Sequence, residues 1–66
     1  SKMFNKSGYD AGKIKIGNNV WIGSNCIILK GVTINNDSVI QSGTVVKKNV
    51  GEKEFVSSSE QVNKKY

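Results

Sequence analysis

The sequence repeats every six residues from Ile16 onward, and this repeat constrains the fold more than any other feature of the chain. In units of six, the stretch reads IGNNVW, IGSNCI, ILKGVT, INNDSV, IQSGTV and VKKNVG. The first position of every unit is a β-branched apolar residue: Ile16, Ile22, Ile28, Ile34, Ile40 and Val46. A short fixed period is typical of solenoids, in which each unit packs only on its neighbours. The repeat therefore predicts a solenoid.

Two further positions of the repeat indicate which solenoid forms. The fourth holds residue types that tolerate a left-handed backbone, namely Asn19, Asn25, Gly31, Asp37, Gly43 and Asn49. The fifth holds small or β-branched residues: Val20, Cys26, Val32, Ser38, Thr44 and Val50. An α-helix is excluded because six residues are not a multiple of its 3.6-residue turn. Short strands joined by left-handed corners close a triangle after three units, which predicts an all-β parallel β-helix.

A coil of eighteen residues gives about two coils, 16–33 and 34–51. Ile16 is then expected to stack on Ile34, and Val32 on Val50. The sixth position of four units is apolar although it should point outward: Trp21, Ile27, Val39 and Val45. An outward apolar stripe is typical of an interface or a ligand wall. Two coils also leave open edges, so we expect packing against further coils or other subunits.

The flanks of the repeat differ from it in character. Residues 1–13 are polar and off-register, and are expected to form a loop leading into the solenoid, whose coils occupy 14–50. Residues 51–66 also leave the register and are expected to form a capping segment and tail. Phe55 and Val56 are predicted to cover the end of the solenoid, and the residues after them to be mobile or docked on a partner.

Composition excludes several classes of function. The net charge of +5 comes from ten lysines and five acids, with no Arg and no His. Without Arg for bidentate reading of bases, nucleic-acid binding would rest on charge alone, so we expect no nucleic-acid partner. No apolar run approaches the ~20 residues of a membrane span, and no signal peptide is visible. One cysteine fits a reducing, cytoplasmic location, and with no His it excludes a structural zinc site.

Three segments carry a resemblance to a known family: VWIG (20–23), GVTI (31–34) and VIQSGTVVKK (39–48). The sequence resembles the hexapeptide-repeat acyltransferases over about residues 13–50. It is most similar to the branch that contains the galactoside, maltose and cell-surface polysaccharide O-acetyltransferases. The resemblance implies a left-handed parallel β-helix assembled as a homotrimer, with acetyl-CoA as acyl donor in the groove between subunits.

The resemblance also implies roles for five residues. Trp21 matches the Trp that lines the site near the reactive end of the cofactor. Ser24 follows the same motif, Ser42 takes the matching position one coil later, and both are expected beside the pantetheine arm. Lys47 and Lys48 replace a Thr-Lys pair near the adenosine, where they would hold the 3′-phosphate and pyrophosphate as point charges. The family's AGNP-like motif is replaced by FVSSSE (55–60).

Each of these residues also has a purely structural interpretation. Trp21 equally fits packing in a subunit interface, serine is common at turns, and a lysine pair is often simply solvated. Cys26 lies in the inward fifth column, so a core role is expected rather than a nucleophile. No pair of acids is spaced for general acid–base chemistry.

Three functions remain open on the sequence alone. The favoured one is the C-terminal part of an acetyl-CoA-dependent O-acetyltransferase acting on a sugar or cell-surface polysaccharide hydroxyl. The family's catalytic His is then expected upstream, and no catalytic residue within this chain. The alternative is a non-catalytic truncated fragment that serves only as an assembly module. A γ-class carbonic anhydrase is disfavoured because its zinc needs three His ligands and this chain has none.

Overall fold

The computed structural model describes residues 12–57 and 60–66, which form short β-strands joined by tight corners. The strands are β1 (Lys15–Ile16), β2 (Trp21–Ile22), β3 (Ile27–Ile28), β4 (Thr33–Ile34), β5 (Val39–Ile40), β6 (Val45–Val46), β7 (Glu54–Ser57) and β8 (Val62–Lys65). These described ranges contain no helix long and apolar enough to cross a membrane. The predicted loop at 1–13 lies outside the described residues except for its last two.

The first six strands stack in three parallel pairs, β1 on β4, β2 on β5 and β3 on β6. Paired residues are eighteen apart, as in Ile16 with Ile34. The backbone ladder continues past the strand ends, since Trp21 N–H donates to the carbonyl of Ser38 at 2.9 Å. The three pairs give the solenoid a first face (β1, β4), a second face (β2, β5) and a third face (β3, β6). The predicted parallel β-helix and its coil length are confirmed.

The corners between faces adopt the left-handed backbone conformation that the fourth position predicts. The φ angles are +59° at Asn19, +60° at Asn25, +85° at Gly31, +62° at Asp37 and +78° at Gly43. Asn and Asp tolerate this region, and Gly adopts it without steric cost. The corners therefore follow from residue type at these five positions.

The third turn of the second coil is two residues shorter than the repeat predicts. Val50 pairs with Ile34, sixteen residues earlier, and not with Val32. The predicted stacking of Val32 on Val50 is therefore wrong. Asn49 is not at a left-handed corner either. Its side-chain Oδ1 instead accepts a hydrogen bond from the N–H of Thr33 at 2.9 Å.

The six-residue repeat resumes after this contraction and starts a third coil. Val50 and Val56 take first positions and are fully buried, while Lys53 takes the fourth position with a φ of +54°. β7 pairs in parallel with β5, with Val39 opposite Phe55. Residues 51–56 therefore do leave the original register, by two residues, but they continue the six-residue repeat in the shifted register.

β8 returns antiparallel along β7 and extends the second face to the order β2-β5-β7-β8. Val56 lies opposite Asn63 in this hairpin. The predicted mobile or partner-docked tail is therefore wrong for residues 60–66. Main-chain pairing orders them as a strand across the end of the solenoid.

The core extends from the end of the first coil, at Val32, through the second and third coils. Its buried apolar residues are Val32, Ile34, Ile40, Val46, Val50 and Val56. In the first coil, Ile16 is 50% exposed and Ile22 is 36% exposed, whereas Ile34 and Ile40 below them are 0% exposed. The difference arises because no described strand stacks on the other edge of β1 and β2.

Candidate functional site

Trp21 lies on the second face and points away from the core. Its side chain is 70% exposed, and it is followed along the solenoid axis by Val39 and then Phe55, which pairs with Val39. Neighbouring rungs are about 4.8 Å apart, so the three side chains form one outward apolar column. Packing within the described chain leaves this column largely uncovered.

Ser24 and Ser42 lie at the same corner, between the second and third faces, on neighbouring coils. The N–H of Gly43 donates to the carbonyl of Ser24 at 2.9 Å. The two backbones approach closely because residue 23 is glycine: a Cβ there would lie 2.5 Å from the nitrogen of Ser42 and 2.7 Å from its Cα. Both serines are exposed, so the corner offers backbone and hydroxyl groups to solvent.

Lys47 and Lys48 follow β6, at the opposite edge of the third face from the serine corner. Their two backbone N–H groups donate to one acceptor, the Oε1 of Gln61, at 2.6 and 2.9 Å. The side chains of both lysines are exposed, and together with Glu60 and Gln61 they line an open cleft of about 380 Å³.

The structure thus brings three of the five predicted residues together and places the other two apart. Trp21 precedes the serine corner by three residues, on the adjoining face. The lysine pair lies across the third face, and the outward residues between are Ile27, which is 55% exposed, and half-buried Val45. A ligand reaching from the serines to the lysines would cross this apolar surface.

A polar network at the base of the solenoid was not predicted from the sequence. The Nδ2 of Asn63 donates to the carbonyl of Asn49 at 3.2 Å and to the Oε1 of Glu54 at 3.1 Å. The same Glu54 oxygen accepts from the N–H of Gly51 at 2.8 Å. The sequence carries no periodic signal for this network, because residues 60, 61, 63, 64 and 65 are all polar and do not alternate with apolar residues.

Cys26 has a structural environment rather than a reactive one. The thiol of Cys26 donates to the carbonyl of Gln41 at 3.1 Å, and its side chain packs against the core, as predicted. The part of the chain that the structure describes contains no group of three or more His, Cys, Asp or Glu residues placed to hold a metal ion.

Stacked six-residue turns, left-handed corners and outward apolar columns together define a hexapeptide-repeat β-helix. Residues 13–48 match the family model described as bacterial transferase hexapeptide (six repeats), and the chain belongs to this family. The fold is a left-handed parallel β-helix, and the chain resembles the O-acetyltransferase branch of the family.

Named relatives support this assignment. The chain is 57% identical to the galactoside O-acetyltransferase of Escherichia coli (strain K12) over 37 residues, covering 56% of this chain and 18% of that protein. It is 43% identical over 51 residues to YvoF of Bacillus subtilis (strain 168), named as an acetyltransferase, covering 77% of this chain and 30% of that one. The crystal structure of a maltose O-acetyltransferase from Clostridium difficile 630 superposes on this chain with a TM-score of 0.75 at 38% sequence identity. The superposition covers 79% of this chain and 28% of that one. The chain spans less than a third of the length of each of these three proteins.

Proposed function

We propose that the protein to which this chain belongs is an acetyl-CoA-dependent O-acetyltransferase of the cytoplasm. Its acceptor would be a hydroxyl group of a sugar or of a cell-surface polysaccharide. The observation that carries the proposal is the 57% identity to a galactoside O-acetyltransferase, within the stretch that forms the stacked coils. The maltose O-acetyltransferase neighbour supports the same acceptor class.

The uncovered apolar columns support assembly as a homotrimer. Trp21, Ile27 and Phe55 are 70%, 55% and 39% exposed on two adjoining faces. Burying outward apolar side chains between subunits stabilises an assembly by about 25 cal/mol per Å² of apolar surface. The groove between two subunits would then run beside the serine corner.

The described residues fit the shape and charge of acetyl-CoA. Gly23 lets the serine corner pack without side-chain bulk, which suits the narrow pantetheine arm lying against backbone. The ammonium groups of Lys47 and Lys48 suit phosphates, and because their N–H groups are bound to Gln61, only the side chains remain to contact an anion. When bound, acetyl-CoA would supply the acetyl group: the acetyl carbon would bond to the sugar oxygen as its bond to sulfur breaks, a base would take the hydroxyl proton, and CoA would leave as the thiol after receiving that proton.

That base must come from outside these residues, because the chain contains no His. A histidine from the rest of the protein or from a neighbouring subunit would remove the hydroxyl proton near neutral pH. Trp21, with its exposed indole, would form a wall of the acceptor site.

The test is thiol release from acetyl-CoA by the full-length protein, measured with galactosides, maltose and an unacetylated polysaccharide as acceptors. We expect turnover with at least one of them. Replacing Lys47 and Lys48 together by Ala should weaken binding of CoA more than that of 3′-dephospho-CoA, with Lys15→Ala, on the first face, as the matched control. Absence of both CoA binding and thiol release would refute the proposal.

The alternative is a non-catalytic assembly module, which the lack of His favours. It predicts an oligomer by light scattering that neither binds CoA nor releases thiol. The same two measurements therefore separate the two functions.

A further inference from the structure

Gln61 is the most completely bonded polar side chain at the base of the solenoid. It is only 9% exposed, although it is a polar residue in the turn that precedes β8. Its Oε1 accepts from the N–H groups of Lys47 and Lys48, and its Nε2 donates to the carbonyl of Lys48 and to the Oδ1 of Asn63, both at 2.9 Å. One side chain thus satisfies three backbone groups of the shortened turn.

The shortened turn needs this partner because it has no regular one. Between Val46 and Val50 the coil has lost two residues, so Lys47 and Lys48 cannot continue the ladder of a full-length turn. Gln61 supplies the acceptor for both N–H groups in partly buried hydrogen bonds, and in doing so fixes the backbone from which both lysine side chains emerge.

We propose that Gln61 is a positioning residue for a phosphate-binding cleft whose charged groups are the ammonium ions of Lys47 and Lys48. This inference rests on the proposed function and names the segment that shapes its phosphate subsite, the β7–β8 hairpin. Gln61 itself contacts no phosphate and acts through the lysine backbone. Holding both stems at one site reduces the conformational entropy that two long side chains lose on binding an anion.

Glu60 sets the charge of the same cleft. Glu60 lines the cleft together with the lysines, so the residues of the cleft carry two positive charges and one negative charge. A carboxylate close to a bound phosphate repels it. Removal of this charge by Glu60→Gln should therefore tighten binding of a phosphorylated ligand, whereas loss of Gln61 should weaken it.

The experiment measures the affinity of the full-length protein for CoA and for 3′-dephospho-CoA by calorimetry, in the wild type and two variants. Gln61→Ala removes the bonds to the lysine backbone. Tyr66→Phe is the matched control, since it removes a hydrogen bond that holds the end of the same hairpin, to the carbonyl of Asp37, without touching Gln61 or the lysines. We expect Gln61→Ala to lower the CoA affinity about fivefold, equivalent to about 1 kcal/mol, and to reduce the preference for the 3′-phosphate. Tyr66→Phe should leave the preference unchanged.

A purely structural role for Gln61 predicts a different result. Both variants would then lower the melting temperature alike, and the ratio of the two affinities would stay at the wild-type value in each. An unchanged ratio in Gln61→Ala, or an equal change in both variants, overturns the inference while leaving the proposed function intact. A wild type that binds neither ligand overturns both.

Discussion

Asn25 and Asn49 occupy the same position of the six-residue repeat, but the structure gives them different roles. Asn25 adopts a φ of +60° at a corner, whereas Asn49 supplies a side-chain acceptor to the N–H of Thr33. Replacing each of them in turn by Gly, Asp and Val separates the two roles. Gly keeps backbone freedom and removes the acceptor, Asp keeps the acceptor, and Val removes both.

The expected magnitudes follow from these contacts. At Asn25, Val must enter the left-handed region, which costs about 1–2 kcal/mol, while Gly enters it freely. At Asn49, no left-handed strain is present, so Val and Gly should each cost the exposed hydrogen bond of 2.9 Å, about 0.5–1.5 kcal/mol. Asp at position 49 should cost little, because its carboxylate also accepts from Thr33.

Urea denaturation of the full-length protein, followed by circular dichroism, gives the change in unfolding free energy for each variant. Asn25→Gly should be close to the wild type and Asn25→Val clearly destabilised. At position 49, the Asp variant should have a higher free energy of unfolding than the Gly and Val variants. If Asn49→Gly proved more stable than Asn49→Asp, position 49 would be a left-handed corner, and Asn49 would not act as the acceptor for Thr33.

Three further predictions concern packing and assembly. Gly23→Ala should destabilise by about 1–3 kcal/mol in the same denaturation assay, because its Cβ would meet backbone atoms of Ser42; wild-type stability would contradict that close approach. Ile40→Ala, at 0% exposure, should cost about 2–5 kcal/mol, and Ile22→Ala, at 36% exposure, less. Equal losses would mean that β2 is covered in the full-length protein. Trp21→Ala should lower the rate of acetyl transfer or shift the oligomer mass measured by light scattering. If the rate and the mass are both unchanged, Trp21 neither lines the acceptor site nor packs between subunits.

The sequence predicts most of the solenoid because its signals are local. A left-handed corner depends on the residue at that corner, so the residue types at positions 19, 37 and 43 predict the left-handed conformation that Asn19, Asp37 and Gly43 adopt. Inward and outward positions depend on a short period, which Ile34 and Trp21 follow. Coil length then follows by counting three corners.

The shortened turn could not be predicted for an equally physical reason. Val50 fits the fifth position, which takes small or β-branched residues, and also the first, which takes β-branched residues. The six-residue pattern is therefore satisfied with or without a contraction of two. The decision comes from pairing, because only the shifted register places Val50 under Ile34 and Val56 under Ile40 with both valines fully buried.

The candidate site likewise has one part that the sequence predicts and one part that it does not. The serine corner follows from the repeat, since Ser24 and Ser42 are eighteen residues apart at equivalent positions. Gln61 could not be placed, because its partners Lys47 and Lys48 lie fourteen and thirteen residues away, respectively, and the contact follows no repeat. Such a contact depends on how the hairpin folds back across the base, which no local preference determines.

The closed base of the solenoid has a consequence for biosynthesis. Every buried residue of the described chain lies at position 32 or later, and the hairpin that covers them is its last element. At about 5–20 residues per second, β8 leaves the ribosome roughly two to ten seconds after β1. Within this stretch, β4, β5 and β6 are therefore synthesised after the strands β1, β2 and β3 on which they stack. Their inward residues reach the burial described above only once residues 50–66 have also emerged from the ribosome.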